Sequence, residues 1–406
     1  MAVASTVARD GRGALVALLS LAVLINYVDR GNLATAAPLI KTELHLTTTQ
    51  IGVMMSAFFW AYTPGQLVAG WIADKLGGHR AMALGFALWS GATALTGLAS
   101  GFTALLALRV LLGIGESTAF PCLSKLLAEN VPAERLGRAN GFVVSGVAFG
   151  PAFGTLAGGL ILAFLGWRAM FILFGVVALL WLIPWLALGR GAQEPSAAPA
   201  PPPPFAAMLT RRALWGACLG HFSVNYSVYF VLSWLPLWLV QQRGFSILEM
   251  AKLGAGVYCV YGASSIFCGW LADRLIARGL ALSAVRKTLA IACHFGVALA
   301  LVGCAWGSPR VVVASLFLCG TFLGMNTVWS VVQTLAGPRA AARWVSVQNA
   351  VANTAGIVVP VVTGFMVDRT GSFDGAFLIT AAVALVGAVG WAFILGPLVP
   401  VDWDRA

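Results

Sequence analysis

Gly70-Trp-Ile-Ala-Asp-Lys-Leu-Gly-Gly-His-Arg80 is echoed later in the chain by Gly269-Trp-Leu-Ala-Asp-Arg-Leu-Ile-Ala-Arg278. Each copy follows a long apolar stretch, places an acid beside a base at its end, and leads into another apolar stretch. A match of this length at corresponding places is an internal repeat, and internal repeats decide architecture before any single element does. Read on their own, Asp74, Arg80, Asp273 and Arg274 cap helix ends and hold cytoplasmic turns. We assign them a gating or structural role that closes the cytoplasmic side without touching a ligand.

Between the copies runs Gly191-Ala-Gln-Glu-Pro-Ser-Ala-Ala-Pro-Ala-Pro-Pro-Pro-Pro204, which cannot continue a helix and reads as a polyproline-like linker. Outward from it, apolar runs near 14–37, 49–73, 81–98, 102–126, 138–163 and 167–189 precede the linker, and runs near 213–240, 250–271, 286–306, 310–336, 344–367 and 373–399 follow it. Each is about the ~20 residues a helix needs to cross hydrocarbon. With 60% of its residues apolar and 10% charged, the chain cannot cover a water-facing surface. The expected fold is therefore an all-α membrane protein of twelve transmembrane helices: a six-helix bundle over 1–190, a linker over 191–212 and a second bundle over 213–406.

The net charge of +11 does not indicate nucleic acid, because the charges sit almost entirely between apolar runs. Placing the N-terminus in the cytoplasm puts seventeen Lys and Arg on that side and six on the other, so both termini are expected to be cytoplasmic. The basic start and Ala34-Thr35-Ala36 faintly resemble a cleaved leader, but Asp29-Arg30 interrupts the run, which reads as an uncleaved first span. All seven cysteines fall in apolar runs without C-x-x-C or metal spacing and read as reduced packing residues. No nucleophile triad, nucleotide loop or metal cluster is present, so neither an enzyme nor a bound cofactor is expected.

Four charges lie where hydrocarbon should be. Asp29 and Arg30 sit within the first span, Arg109 and Glu116 within the fourth. A charge isolated at the bilayer centre costs from about 2.5 to above ~10 kcal/mol, so such groups face cavities and mark ion or substrate paths. Arg109 and Glu116 are two helical turns apart and share one face, about 10 Å apart along the axis. A purely structural pairing, Asp29 with Arg109 and Glu116 with Arg30, is the rival reading, but buried pairs are weak stabilisers. Burial and a neighbouring arginine act in opposite directions on a carboxyl, so small changes around Asp29 and Glu116 can switch their protonation. Arginine stays charged and matches a carboxylate with its fork.

These residues resemble the anion:cation symporter family of the major facilitator superfamily, in particular its bacterial sugar-acid members of the D-galactonate type. The resemblance covers the whole chain and rests on four stretches: Asn26-Tyr-Val-Asp-Arg30-Gly-Asn-Leu with Ala36-Ala-Pro38; Arg109-Val-Leu-Leu-Gly-Ile-Gly-Glu116 with Phe120-Pro121 and Pro132-x-Glu134-Arg135; Tyr229-Phe-x-Leu-Ser-Trp234-Leu-Pro236 with Arg243-Gly-Phe-Ser246; and Asn349 with Asn353-Thr-Ala-Gly-Ile357 and Pro360. It implies Asp29 and Glu116 as proton-coupling carboxylates, and Arg30 and Arg109 as the arginines of the substrate carboxylate and of the gate. Tyr27, Tyr62, Gln66, Ser330 and Asn353 match polar substrate-binding positions. Two departures bear on substrate choice. Val147 stands where D-galactonate-type members carry glutamine, and Val224 where vesicular glutamate relatives carry a second substrate arginine. Trp234, Trp238 and Trp329 make the C-terminal half comparatively apolar, so an aromatic or partly apolar monocarboxylate remains open.

The expected activity is proton-coupled symport of a small organic anion into a bacterium across its inner membrane, by a monomer whose halves rock in alternating access, with protons as coupling ion and lipid as surroundings. Gly146, Gly150, Gly154, Gly158 and Gly159 read as a close-packing face, with a weaker hint of a proton-coupled exporter. An exporter of lipophilic cations would leave Arg30 and Arg109 without a task. A transporter-like receptor would be expected to add a soluble signalling segment, and six residues after Pro400 are not one. His221 and His294 read first as packing histidines and second as proton relays.

Overall fold

The computed structural model describes residues 2–131, 133–188, 203–325 and 327–403; side chains are described except at 2–12, 67, 74, 128, 133–138, 140, 144, 148, 333, 338–339 and 341–342. Every regular element among them is helical: α1 (Ala2–Glu43), α2 (Thr48–Leu76), α3 (Gly78–Thr96), α4 (Phe102–Ser117), α5 (Ala119–Asn130), α6 (Ala133–Leu179), α7 (Leu182–Leu188), α8 (Phe205–Leu209), α9 (Arg212–Gln241), α10 (Ile247–Ala277), α11 (Leu282–Trp306), α12 (Pro309–Gly324), α13 (Val328–Thr370) and α14 (Asp374–Val389), which ends in a π-helical turn over Gly390–Ile394. Nine helical stretches among the described residues are long and apolar enough to cross a membrane. The fifth and sixth expected spans fall on one of these, Gly141–Leu188, and the second and third on α2 and α3. The expected linker lies outside the described residues up to position 202.

The breaks have local causes. Gly166 (φ 81) interrupts α6 and Gly337 (φ 63) interrupts α13, backbone angles that cost glycine nothing and other residues a steric clash. The second span starts on a reciprocal cap: the Thr47 hydroxyl accepts from the Gln50 amide at 3.1 Å, and the Gln50 side chain accepts from the Thr47 amide at 2.9 Å. The expected fourth span is two consecutive helices, α4 and α5, that meet at Thr118, just past Glu116.

Large apolar side chains face outward, among them Phe164 (79% exposed), Leu299 (72%) and Phe393 (71%). Surfaces of this kind suit hydrocarbon, where apolar exposure has no cost.

The chain forms two compact units, one of Met1–Ala197 with Ser233–Ala255, the other of Ala198–Leu232 with Gly256–Ala406. In the first, the glycines of α6 pack closely, as expected. A Cβ on Gly146, Gly150 or Gly154 would fall 2.8 Å from Leu24 N, 2.6 Å from the Tyr27 Cβ and 3.0 Å from the Val28 Cα, respectively. The small-residue face thus seats α1 at the turn before Asp29. Gly113 of α4 does the same for α2, since a Cβ there would lie 2.3 Å from the Phe58 carbonyl oxygen. In the second unit, Met208 of α8, Trp344 of α13 and Trp391 at the end of α14 lie fully buried in one apolar core.

Candidate functional site

Four helices of the first unit bring charged, polar and aromatic side chains together. From α1 come Asn26, Tyr27, Asp29, Arg30 and Asn32; from α2, Phe58 and Tyr62; from α3, Thr93; from α4, Arg109 and Glu116. Gly113 lets the α2 and α4 backbones approach closely, and the α6 glycines fix α1 where it carries Asp29 and Arg30.

Arg30 donates from Nε to Glu116 Oε2 at 3.1 Å, with side-chain exposures of 7% and 0%. Its guanidinium also lies over three rings, 4.8 Å from the Tyr27 centroid, 5.3 Å from Phe58 and 4.5 Å from Tyr62. Phe58 and Tyr62 stack on each other at 4.9 Å, and the Arg109 guanidinium lies 5.4 Å from the Phe58 centroid. Arginine faces stack on aromatic rings while their edges remain available for oxyanions, so the cage holds the cation in place without consuming its donors.

Asp29 is 2% exposed and its Oδ1 accepts from Asn32 Nδ2 at 3.0 Å. Thr93 lies beside the same carboxyl, and Arg109 and Glu116 are both near enough to act on its charge. Arg109, 6% exposed, feels Glu116, Asp29 and Arg30 together. The four expected charges therefore share one buried cluster. Of the two pairs that a purely structural reading requires, Arg30 with Glu116 is formed, whereas Asp29 takes the Asn32 amide.

The cluster is not fully satisfied. Asp29 Oδ2, Asn32 Oδ1, Arg109 Nε, Glu116 Oε1 and both amide atoms of Asn26 are among the buried polar atoms that lack a hydrogen bond of good geometry, although Asn26 stands close enough to Glu116, and Thr93 to Asp29, to interact at longer range. Protein interiors pair nearly all such groups. Their concentration on one set of charges leaves donors and acceptors to spare in this cluster.

The remaining expected residues are spread more widely. Tyr62 belongs to the cage, and Gln66 is half-buried one turn further along α2. In the second unit, Asn353 is buried and its Oδ1 accepts from the Tyr229 hydroxyl at 2.6 Å. Ser330 is directed elsewhere: its hydroxyl donates to the Thr327 carbonyl at 2.9 Å and its own carbonyl accepts from Arg286 Nη1 at 2.9 Å. The side chain of Asp74 lies outside the described residues. Arg80, Asp273 and Arg274 are exposed. The repeated turn shows a feature that the charges alone did not announce: Lys75 lies 4.0 Å from the Trp71 ring and Arg274 5.2 Å from the Trp270 ring, at equivalent places in the two copies.

The histidines are held by packing and hydrogen bonds. His221 Nδ1 meets Gln348 Nε2 at 3.3 Å, and Gln348 Oε1 accepts from Trp344 Nε1 at 3.1 Å. His294 sits between the carbonyls of Ala290 (2.7 Å) and Gly220 (3.3 Å). Trp234 and Trp238 are buried in the first unit, and Trp329 of the second meets the His221 ring edge-on at 5.3 Å. All seven cysteines are free thiols, six of them buried, and no metal-binding cluster occurs among the described residues.

Asn26 and Asn32 belong to the stretch that carries the resemblance but were given no role in the site, and Phe58 and Thr93 were not singled out from the sequence. Asn32 carried a signal, since it lies three residues after Asp29 and therefore on the same helix face. Phe58 and Thr93 reach the site only through the packing of α2 and α3, which no local pattern encodes.

The sequence profile of the Major Facilitator Superfamily matches residues 19–359. The D-galactonate transporter of Escherichia coli is 29% identical over 93% of this chain and 94% of its own length. A probable sulfoacetate transporter of Cupriavidus necator is 31% identical over 96% and 95%. Among solved structures, a bacterial homologue of the human lysosomal transporter Spinster, in an inward-facing and occupied conformation, superposes with a TM-score of 0.80 at 19% identity, over 94% of this chain and 96% of that one.

Proposed function

The chain belongs to the Major Facilitator Superfamily, and from that premise we propose that it is a proton-coupled symporter that imports a small organic anion, a sugar acid or another monocarboxylate, across a bacterial inner membrane. It is a membrane transporter and not an enzyme. The relatives named above carry anionic substrates in their names, sugar acid and sulfonated acid alike, which supports an anionic substrate here. The observation that carries the proposal is the buried pair of Arg30 and Glu116 at 3.1 Å with Asp29 and Arg109 beside it.

The chemistry follows from that pair. While Glu116 is ionised, it occupies an edge of the Arg30 guanidinium. A proton on Glu116 removes the charge that holds Arg30, and the freed donors take the substrate carboxylate. Loss of the proton after the site opens to the cytoplasm restores the internal pair and expels the anion. Access alternates between the two sides of the membrane, so the proton gradient drives accumulation. Asp29 is the second proton site and Arg109 the cation shared by both acids. Tyr27, Tyr62 and Gln66 of the first half recognise hydroxyl groups, as does Asn353 of the second, whereas the Ser330 hydroxyl matched to the same task is engaged by the Thr327 carbonyl. Asp74, Arg80, Asp273 and Arg274 serve the cytoplasmic closure. In this reading the protein works as a monomer with both termini cytoplasmic, six helices on either side of the linker, and no cofactor besides the proton.

Proton and anion then bind together, so anion affinity rises as pH falls. A thermal-shift screen of the purified protein against sugar acids, hydroxy acids and aromatic acids at two pH values tests this. A ligand present at a hundred times its dissociation constant stabilises the bound form by about 2.7 kcal/mol. Stabilisation by one of these acids that is larger at the lower pH is expected. Stabilisation by none of them, or by one only at the higher pH, would sink the proposal.

A further inference from the structure

Asp29 and Asn32 are joined by a single hydrogen bond, Nδ2 to Oδ1 at 3.0 Å, while the other oxygen of each, Asp29 Oδ2 and Asn32 Oδ1, is buried and lacks a hydrogen bond of good geometry. Both leftover atoms are acceptors. Two acceptors cannot satisfy each other, and an unpaired buried acceptor is costly. One hydrogen supplied between them would resolve both at once. A carboxylic acid and a primary amide have complementary edges: the amide N–H donates to the acid carbonyl while the acid O–H donates to the amide oxygen. Half of that arrangement is already present here.

We propose that Asn32 is a positioning residue for proton coupling, its amide oxygen receiving the hydrogen of protonated Asp29 to close a two-point acid–amide pair. The inference rests on the reading of Asp29 as a proton carrier. The proton passes from hydronium to Oδ2, breaking one O–H bond of the hydronium as the Oδ2–H bond forms, and release to water reverses both changes. Asn32 thereby distinguishes the two protonation states, making one bond to the carboxylate and two to the acid. The spacing places the pair on one face of α1, so it needs no help from another helix. Other groups bear on Asp29 from the elements packed against it: Thr93 from α3, and Arg109 and Glu116 from α4. Thr93, whose hydroxyl can donate or accept, is the competing partner for the same hydrogen.

Infrared difference spectra of the full-length protein in liposomes, recorded between acid and neutral pH, test this directly. The carbonyl band of protonated Asp29 is identified by its disappearance in Asp29→Asn. In Asn32→Leu it should move to higher wavenumber, because both hydrogen bonds to the acid are lost, while Thr93→Val should leave it in place. Should Asn32→Leu not fold, the unmodified protein labelled with 13C-asparagine gives a second reading: a side-chain carbonyl band that falls on acidification, and fails to fall in Asp29→Asn. An Asp29 band that titrates but is indifferent to Asn32→Leu, or that moves only in Thr93→Val, overturns the role of Asn32 and leaves the proton-carrier reading standing. Absence of any titrating Asp29 band overturns both.

Discussion

Arg30 reaches Glu116 through its Nε at 3.1 Å, with the Glu116 side chain wholly shut off from solvent. Breaking such a pair by removing one partner costs about 3–5 kcal/mol, because the survivor is left charged in a poor dielectric. Glu116→Gln keeps a hydrogen-bond acceptor for Arg30 but can no longer take up or release a proton. In proteoliposomes with an imposed proton gradient, this variant should lose pH-driven accumulation while counterflow exchange of the same anion persists. Undiminished accumulation would remove Glu116 from the coupling scheme.

Arg30→Lys should behave as a severe change despite keeping the charge. The three rings around the guanidinium fit its flat delocalised faces, and an ammonium offers neither a planar stack nor a fork for a carboxylate. Loss of the fork predicts KM higher by about tenfold or more, equivalent to ~1.4 kcal/mol. Tyr62→Leu, which removes one ring of the cage, should cost less, about 0.5–2 kcal/mol of positioning energy. Concentration dependence of uptake for the two variants ranks them. If Tyr62→Leu proves the more damaging, the cage and not the fork is the recognition element.

Packing of α2 against α4 sets where Phe58 sits, and Gly113 is its contact. A methyl group at position 113 would lie 2.3 Å from a backbone oxygen that cannot step aside, whereas one at Gly70 meets nothing within 4 Å. Gly113→Ala should therefore destabilise by roughly 1–3 kcal/mol. Gly70→Ala, at a half-buried helix-interior site with open space around the added methyl, should be neutral or stabilising by up to about 1 kcal/mol. Thermal unfolding of the two detergent-solubilised variants compares them in one experiment. Equal midpoints would mean that α2 and α4 are not held at the separation described here.

The parts of this protein that could be read from the chain are those governed by local composition. The repeated Gly70–Arg80 turn and the apolar runs depend on the solvent alone, because hydrocarbon rejects charge wherever it occurs. For the same reason Asp29, Arg30, Arg109 and Glu116 stood out as one set, and the structure gathers them. The spacing of Gly146, Gly150 and Gly154 announced a close contact but not its partner; that it seats α1 at Leu24, Tyr27 and Val28 depends on which helices become neighbours. Phe58 and Thr93 were invisible for that reason. Both are ordinary residues of apolar spans until α2 and α3 carry them to Arg30 and Asp29.

Ser330 and Asn353 were matched to substrate recognition by the same resemblance, yet their surroundings separate them. The Ser330 hydroxyl is spent on the Thr327 carbonyl within its own helix start, whereas Asn353 uses only its Oδ1, on the Tyr229 hydroxyl, which leaves the amide hydrogens as donors. Ser330→Ala removes one local bond worth about 0.5–1.5 kcal/mol and should leave KM near that of the unmodified protein. Asn353→Ala removes a buried donor and the amide oxygen that the Tyr229 hydroxyl bonds, so KM for a polyhydroxylated acid should rise well above its value in Ser330→Ala. For an acid without hydroxyl groups the two variants should match. Uptake measured with one acid of each kind decides the matter: a large effect of Ser330→Ala with the hydroxylated acid would place recognition on the serine and require its hydroxyl to leave Thr327 when substrate binds.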